Sequence, residues 1–178
     1  MTNNYLLTRV TAPASEPVTL TEAKLYLRVD STIEDSLITD LIVAARMSAE
    51  SYLRKSLISQ TWKIIYNDIV DAEVELLMLP VVSVASVVVV SRDASTQTIS
   101  PVSYYLNATK NKLIFDNPPT GFAIEITYNT GYGTASQVPA PIKYGILAHI
   151  AQMYDERGNY DIPQNAIALY SPFREVWL

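Results

Sequence analysis

Cysteine is absent from this chain, which excludes a disulfide framework and a thiolate metal site. Histidine occurs once, at His149, so two imidazoles cannot meet on one metal within a subunit. His149 lies next to an apolar stripe and reads as a packed or half-exposed structural residue. The P-loop pattern and the dinucleotide GxGxxG pattern are both missing. Gly131-Tyr-Gly133 leads from a predicted strand into a loop without opening a helix, so phosphate cradling has no support. Long apolar runs are also lacking. The longest, such as Val87 to Val90, are far too short to span a bilayer. The opening MTNNYLLTRVTAPASEP does not follow the basic-then-apolar order of a signal peptide. A soluble protein made in a reducing cytoplasm is the expectation. Charge is sparse, at 17% of residues, with a net value of −5. That argues against a dedicated nucleic-acid binder, which gains affinity by neutralising phosphates. A mildly acidic wall would instead let DNA slide past.

What is present is apolar material: 49% of 178 residues, enough for one domain or one domain with a sizeable insertion. The most organised stretch runs from Ser31 to Leu53. Ile33, Leu37, Ile38, Leu41, Ile42, Ala45, Ala49, Tyr52 and Leu53 fall at three-and-four spacing, which predicts a helix about 33 Å long. Ser31 with Glu34 fits a capping box, and Asp35 at one end with Arg54 and Lys55 at the other suits the helix dipole.

Before it, Met1 to Pro17 reads as a polar arm, and Thr19-Leu-Thr-Glu22 is a second capping box opening a short helix through Leu27. After Leu57 the period falls to two. Trp62, Ile64 and Tyr66 mark one strand, Glu73 to Leu79 a second and Val84 to Val90 a third. Tyr104 to Asn107 and Lys112 to Asp116 flank a polar turn and predict a hairpin, and Phe122, Ile124, Ile126 and Tyr128 mark a last strand. Arg92 to Thr98 and Thr109 to Lys112 read as polar turns. Helix returns at Pro141, with Ile142, Ile146, Ile150 and Met153 on one stripe, a stop at Gly158-Asn159, and a short helix from Pro163 to about Tyr170. The expected class is α+β: a helical body of two N-terminal and the C-terminal helices, interrupted by an antiparallel sheet or small barrel. The expected division is residues 1–18 as an arm, 19–57 with 139–178 as the helical body and tail, and 58–138 as the β insertion. Helices on both sides of the β segment can share a core that neither set could build alone. A separate two-helix N-terminal domain is the alternative.

Two carboxylate groupings are conceivable acid–base sites: Asp155-Glu156 with Asp161, and Asp68 with Asp71. The simpler reading is a solvated helix end with Arg157 as partner, and a polar hairpin turn. Twelve tyrosines raise a second possibility, an aromatic-rich β module that binds carbohydrate or nucleobases. Tyrosines on strand and helix faces serve equally as core or interface.

The ordered set of segments resembles a known family. Val18 to Asp30 (VTLTEAKLYLRVD), Asp35, Leu37-Ile38, Leu41 to Arg46, Glu50, Tyr52, Leu57 to Trp62 and Leu79-Pro-Val81 carry the likeness, with Val84 and Val87. Tyr128 to Gly133, Val138-Pro139, Ile142-Lys143, and Tyr154 with Arg157 extend it. In order and spacing they are similar to the head–tail connector, or adaptor, proteins of tailed double-stranded DNA phages and prophages. The resemblance implies a structural virion component at the head–tail interface, assembled in the host bacterial cytoplasm. Its partners would be the portal protein, a stopper or tail-completion protein, and copies of itself in a ring that is dodecameric on the portal. Double-stranded DNA would pass through without sequence recognition. No enzyme activity, cofactor, metal or membrane association is implied. The closing segment, Leu169 to Trp177, resembles the part of related adaptors that engages the portal. That likeness makes Pro172, Phe173, Arg174, Val176 and Trp177 the expected portal contacts, since aromatics and arginine most often anchor interfaces. The competing expectation is that Phe173 and Trp177 fold back to cap their own core.

Overall fold

The computed structural model describes residues 5–67, 72–156 and 158–175. The fold is α+β, with four α-helices and antiparallel sheets among the described residues. The chain divides into two compact units, residues 1–12 with 59–131 and residues 13–58 with 132–178.

The second unit is helical. It contains α1 (Leu20–Leu27), α2 (Asp35–Leu53), α3 (Ala140–Asp155) and α4 (Gln164–Tyr170). Its core is the apolar stripe of α2, Ile38, Leu41, Ile42, Ala45, Ala49 and Leu53, packed with Ile142, Ile146, Ile150 and Met153 of α3. Ala166 and Tyr170 of α4 complete it. A fully buried leucine or isoleucine contributes roughly 1.5–3 kcal/mol, so this shared stripe, not helix propensity, holds the unit together. Polar ties run between the helices at its rim. Lys24 of α1 meets Asp35 of α2 at 2.6 Å, and Lys143 of α3 meets Glu22 of α1 at 2.9 Å.

Thr19 caps α1 through a complete capping box: its Oγ1 accepts the Glu22 N–H at 3.1 Å, and Glu22 Oε2 accepts the Thr19 N–H at 2.7 Å. That backbone donor, followed by Lys143, holds the Glu22 carboxyl below its ordinary range. The box expected at Ser31 does not form. The helix starts at Asp35, Glu34 makes no capping bond, and Ser31 Oγ accepts only the Ile33 N–H at 3.2 Å. Glu34 instead accepts the Tyr154 hydroxyl from α3, so a tertiary contact has taken the carboxylate that a local cap would have used. Ile33 therefore falls outside the helix and is exposed, as Leu37 also is.

One buried charge cluster fastens the end of α2. Arg46 and Glu50 are 4% and 3% exposed. Arg46 Nη1 donates to Glu50 Oε2 at 2.8 Å, and its Nε donates to Glu16 Oε2 at 2.7 Å. Glu50 Oε1 accepts the Leu57 N–H at 2.9 Å, turning the chain back beyond the helix. Burial works against the guanidinium charge, but the hydrogen bond to Glu16 and the field of Glu50 outweigh it.

The other unit is two packed sheets. β1 (Tyr5–Thr11), β2 (Gln60–Asn67), β4 (Val81–Val90), β5 (Thr96–Thr98) and β8 (Ala123–Thr130) form one sheet, ordered β1-β2-β8-β4-β5. β3 (Glu73–Glu75), β7 (Lys112–Phe115) and β6 (Tyr104–Leu106) form the other, ordered β3-β7-β6. The alternation of β8 sends Ile124, Ile126 and Tyr128 inward, and register places Ile64 and Val87 opposite Ile126. Val74, Leu113 and Phe115 meet them from the second sheet. The buried Tyr128 hydroxyl donates to the Leu77 carbonyl at 2.9 Å, and burial pushes its phenol pKa up.

Three expectations change here. The polar arm holds a strand, because β1 is an edge that buries little and needs no apolar alternation. Thr96 to Thr98, expected as turn, pairs with Val88 to Val90 as a fully exposed edge strand. The strand expected from Glu73 to Leu79 stops at Glu75. Asp68 and Asp71 lie outside the described residues.

Candidate interaction surfaces

The residues expected to contact a portal follow α4. Its last turn passes into a 3-10 turn, Ser171–Phe173, with Pro172 in the first positions and Ser171 Oγ donating to the Ile167 carbonyl at 2.8 Å. Phe173 is half-buried and packs against the helical core. Arg174 is exposed, and its guanidinium carbon stands 4.7 Å from the centroid of the Tyr52 ring. Tyr52 in turn lies 6.0 Å from Tyr170, ring to ring. The Glu175 N–H donates to the Leu53 carbonyl at 3.2 Å, and its carboxylate is 3.6 Å from Lys55 Nζ. Described residues of the tail are thus held on the C-terminal end of α2, with Pro172 and Arg174 open to solvent. Val176 and Trp177 lie outside the described residues.

His149 is fully buried. Its Nε2 lies 3.2 Å from the Tyr160 carbonyl. A carbonyl only accepts, so Nε2 carries the proton and Nδ1 is left as a bare acceptor. Among the described residues that Nδ1 has no hydrogen-bond partner. Burial lowers its pKa, against the opposing pull of the Tyr160 bond and of Asp161. The ring anchors a corner and keeps no path to solvent. Asp155, Glu156 and Asp161 are all exposed, and Glu156 accepts the Asn159 side-chain amide at 2.7 Å. Among the described residues, no group of three or more His, Cys, Asp or Glu is placed to hold a metal ion.

The tyrosines divide between core and surface. Tyr128 and Tyr170 are buried, and Tyr104 makes an edge contact with Phe115 at 5.9 Å. The exposed aromatics of the β unit include Tyr5, Tyr105 and Phe122, which stand on three separate segments.

A different surface was not singled out by pattern. α1 and α3 leave between them a groove of about 740 Å³, lined by Glu22, Leu25, Tyr26, Arg28, Lys143 and Tyr144 among others. Leu25, Tyr26 and Tyr144 are 80%, 45% and 59% exposed. The signal was present: Leu20, Ala23, Leu25, Tyr26 and Leu27 are more apolar residues than one stripe of an eight-residue helix can bury.

The segment that builds α1, α2 and the first β strands after them is the part that decides the family comparison. Residues 17–83 match the phage gp6-like head-tail connector family. The whole chain also shares the fold of proteins from gene transfer agent particles. One, from the neck of an empty particle computed with C6 symmetry, aligns with a TM-score of 0.83 at 21% identity, covering 97% of each chain. A second, from the virion of the native particle, gives 0.79 at 22% identity with 97% of each chain covered. A third, from the neck of the native particle computed with C12 symmetry, gives 0.74 at 21% identity over the same share. No curated protein matches the chain. The connector match thus covers the first part of the chain, and the likeness to the gene transfer agent proteins is one of fold. Among the described residues, no helix is long and apolar enough to cross a membrane.

Proposed function

We propose that the chain is a non-enzymatic head–tail connector that forms a ring beneath a portal, extends its DNA channel and docks a stopper or tail component. The observation that carries this reading is the match of residues 17–83 to the connector family, on a chain whose full length shares the fold of neck proteins. The necks computed with six-fold and twelve-fold symmetry favour a ring of copies, and a dodecamer on the portal. On this reading the helical unit is the body, the β unit is an insertion joined by the N-terminal strand, and the acidic charge lets DNA pass ungripped.

The tail is the proposed portal contact, through Pro172, Phe173, Arg174, Val176 and Trp177. Solvent exposure of Pro172 and Arg174, beside a short structured turn, favours this assignment. Binding to purified portal-bearing heads tests it, comparing the full chain with one truncated after Tyr170. Binding by the full chain alone is the expected result. Equal binding by both overturns the tail assignment, and binding by neither overturns the connector role.

A further inference from the structure

Resting on the ring reading, we propose that the corner at Tyr160-Asp161 of one copy seats in the α1–α3 groove of the next copy. The Tyr160 ring would lie against Leu25, Tyr26 and Tyr144, and the Asp161 carboxylate would face Arg28.

The groove is the receiving half. It exposes one aliphatic and two aromatic side chains together, the kind of apolar surface that a soluble domain covers when it assembles. Its rim carries Glu22 and Lys143, which satisfy each other at 2.9 Å, and Arg28. Arg28 is held at φ 59° as the cap of α1, is exposed, and makes no ion pair among the described residues. Arg28 is therefore a cation without an ion-pair partner beside an apolar trough, with Asp30 lining the recess next to it.

The corner is the inserting half. Tyr160 is 68% exposed, yet its backbone is fixed. His149 Nε2 donates to the Tyr160 carbonyl and Gln152 Nε2 donates to the Asp161 carbonyl, each at 3.2 Å, so two side chains of α3 hold the corner from below. Asn159 Oδ1 accepts the Asp161 N–H at 3.2 Å, and Asn159 Nδ2 binds Glu156. A large exposed ring on a pre-ordered backbone loses little conformational freedom on docking. Asp161 is exposed and makes no ion pair among the described residues. The two halves thus carry opposite spare charges, Arg28 on the groove and Asp161 on the corner.

Both halves belong to the helical unit and share no residue. Tyr144 and the end of α3 at Asp155 are about 17 Å apart along the helix. A contact between two different patches of one chain is heterologous, leaves a free groove and a free corner at each end, and repeats until a rotation closes it. That is the interface a ring needs.

Charge reversal with rescue tests the pairing, read as copies of the full chain bound per portal-bearing head. Arg28→Glu and Asp161→Arg, each alone, are expected to weaken assembly about tenfold, because like charges then meet. The double variant restores it to within about twofold. Both residues are exposed, so unchanged melting temperatures separate this effect from misfolding. Full assembly by either single variant, or no recovery in the double, overturns the docking while leaving the connector role intact. Failure of the unaltered chain to bind heads overturns the connector role, and this inference with it.

Discussion

His149 shows how one side chain can couple fold stability to acidity. Its neutral form is the one the core accepts, since a proton on Nδ1 would create a buried N–H with no acceptor. The unfolded imidazole titrates near 6.5 and the folded one lower. Its contribution is therefore complete above about pH 6.5 and fades as pH falls from there through the folded value. Thermal scans from pH 8 to 5 should show this loss, and His149→Gln should flatten it; an identical slope in both proteins would refute the assignment. Arg46 presents the opposite case, a charge that the core requires. Arg46→Met strands Glu50 in the interior and is expected to cost about 3–5 kcal/mol in denaturant unfolding. Adding Glu50→Gln should recover part of the loss, because the unpaired charge that remains, on Glu16, is partly exposed to water.

Elements meet here through small residues. Gly145 lies on α3 where α4 lays Tyr170 across it, and a Cβ there would stand 2.3 Å from Tyr170 Cε1. Gly145→Ala should force α4 away and cost about 1–3 kcal/mol by overpacking, although alanine is the better helix former. A gain in melting temperature would show that propensity wins over packing. The tyrosine hydroxyl has no hydrogen-bond partner among the described residues, so Tyr170 contributes to this crossing through the packing of its ring. The same dominance of tertiary contact appears at the start of α2. Tyr154 claims Glu34, and the helix begins three residues later than a cap at Ser31 would have started it.

For the whole molecule, the tail prediction separates function from folding. Arg174→Ala with Trp177→Ala should weaken portal binding; the Arg174 change by itself should move the melting temperature little, since an exposed arginine over a tyrosine ring contributes roughly 0.5–1 kcal/mol. Unchanged binding in a head pull-down would remove these residues from the contact. On the proposed ring reading many copies act together, and modest affinity per copy would become firm attachment when the sites are tethered in one ring.

By itself the sequence determined the mixed α and β class and the order of the helices and the apolar strands. Periodicity in α2, α3 and β8 follows from which side chains must leave water, and Thr19 with Glu22 caps α1 using atoms three residues apart. Both are local facts and were legible. The connector likeness was legible too, as an ordered set of short segments. Only tertiary structure decided the rest. β1 and β5 bury almost nothing, so as edge strands they leave no apolar alternation to read. The pairing of Arg46 with Glu16 joins residues far apart in the chain. The groove beside Leu25, Tyr26 and Tyr144 exists because α1 is too short to bury every apolar residue it carries, and only the packing of α3 against it reveals which ones are left out.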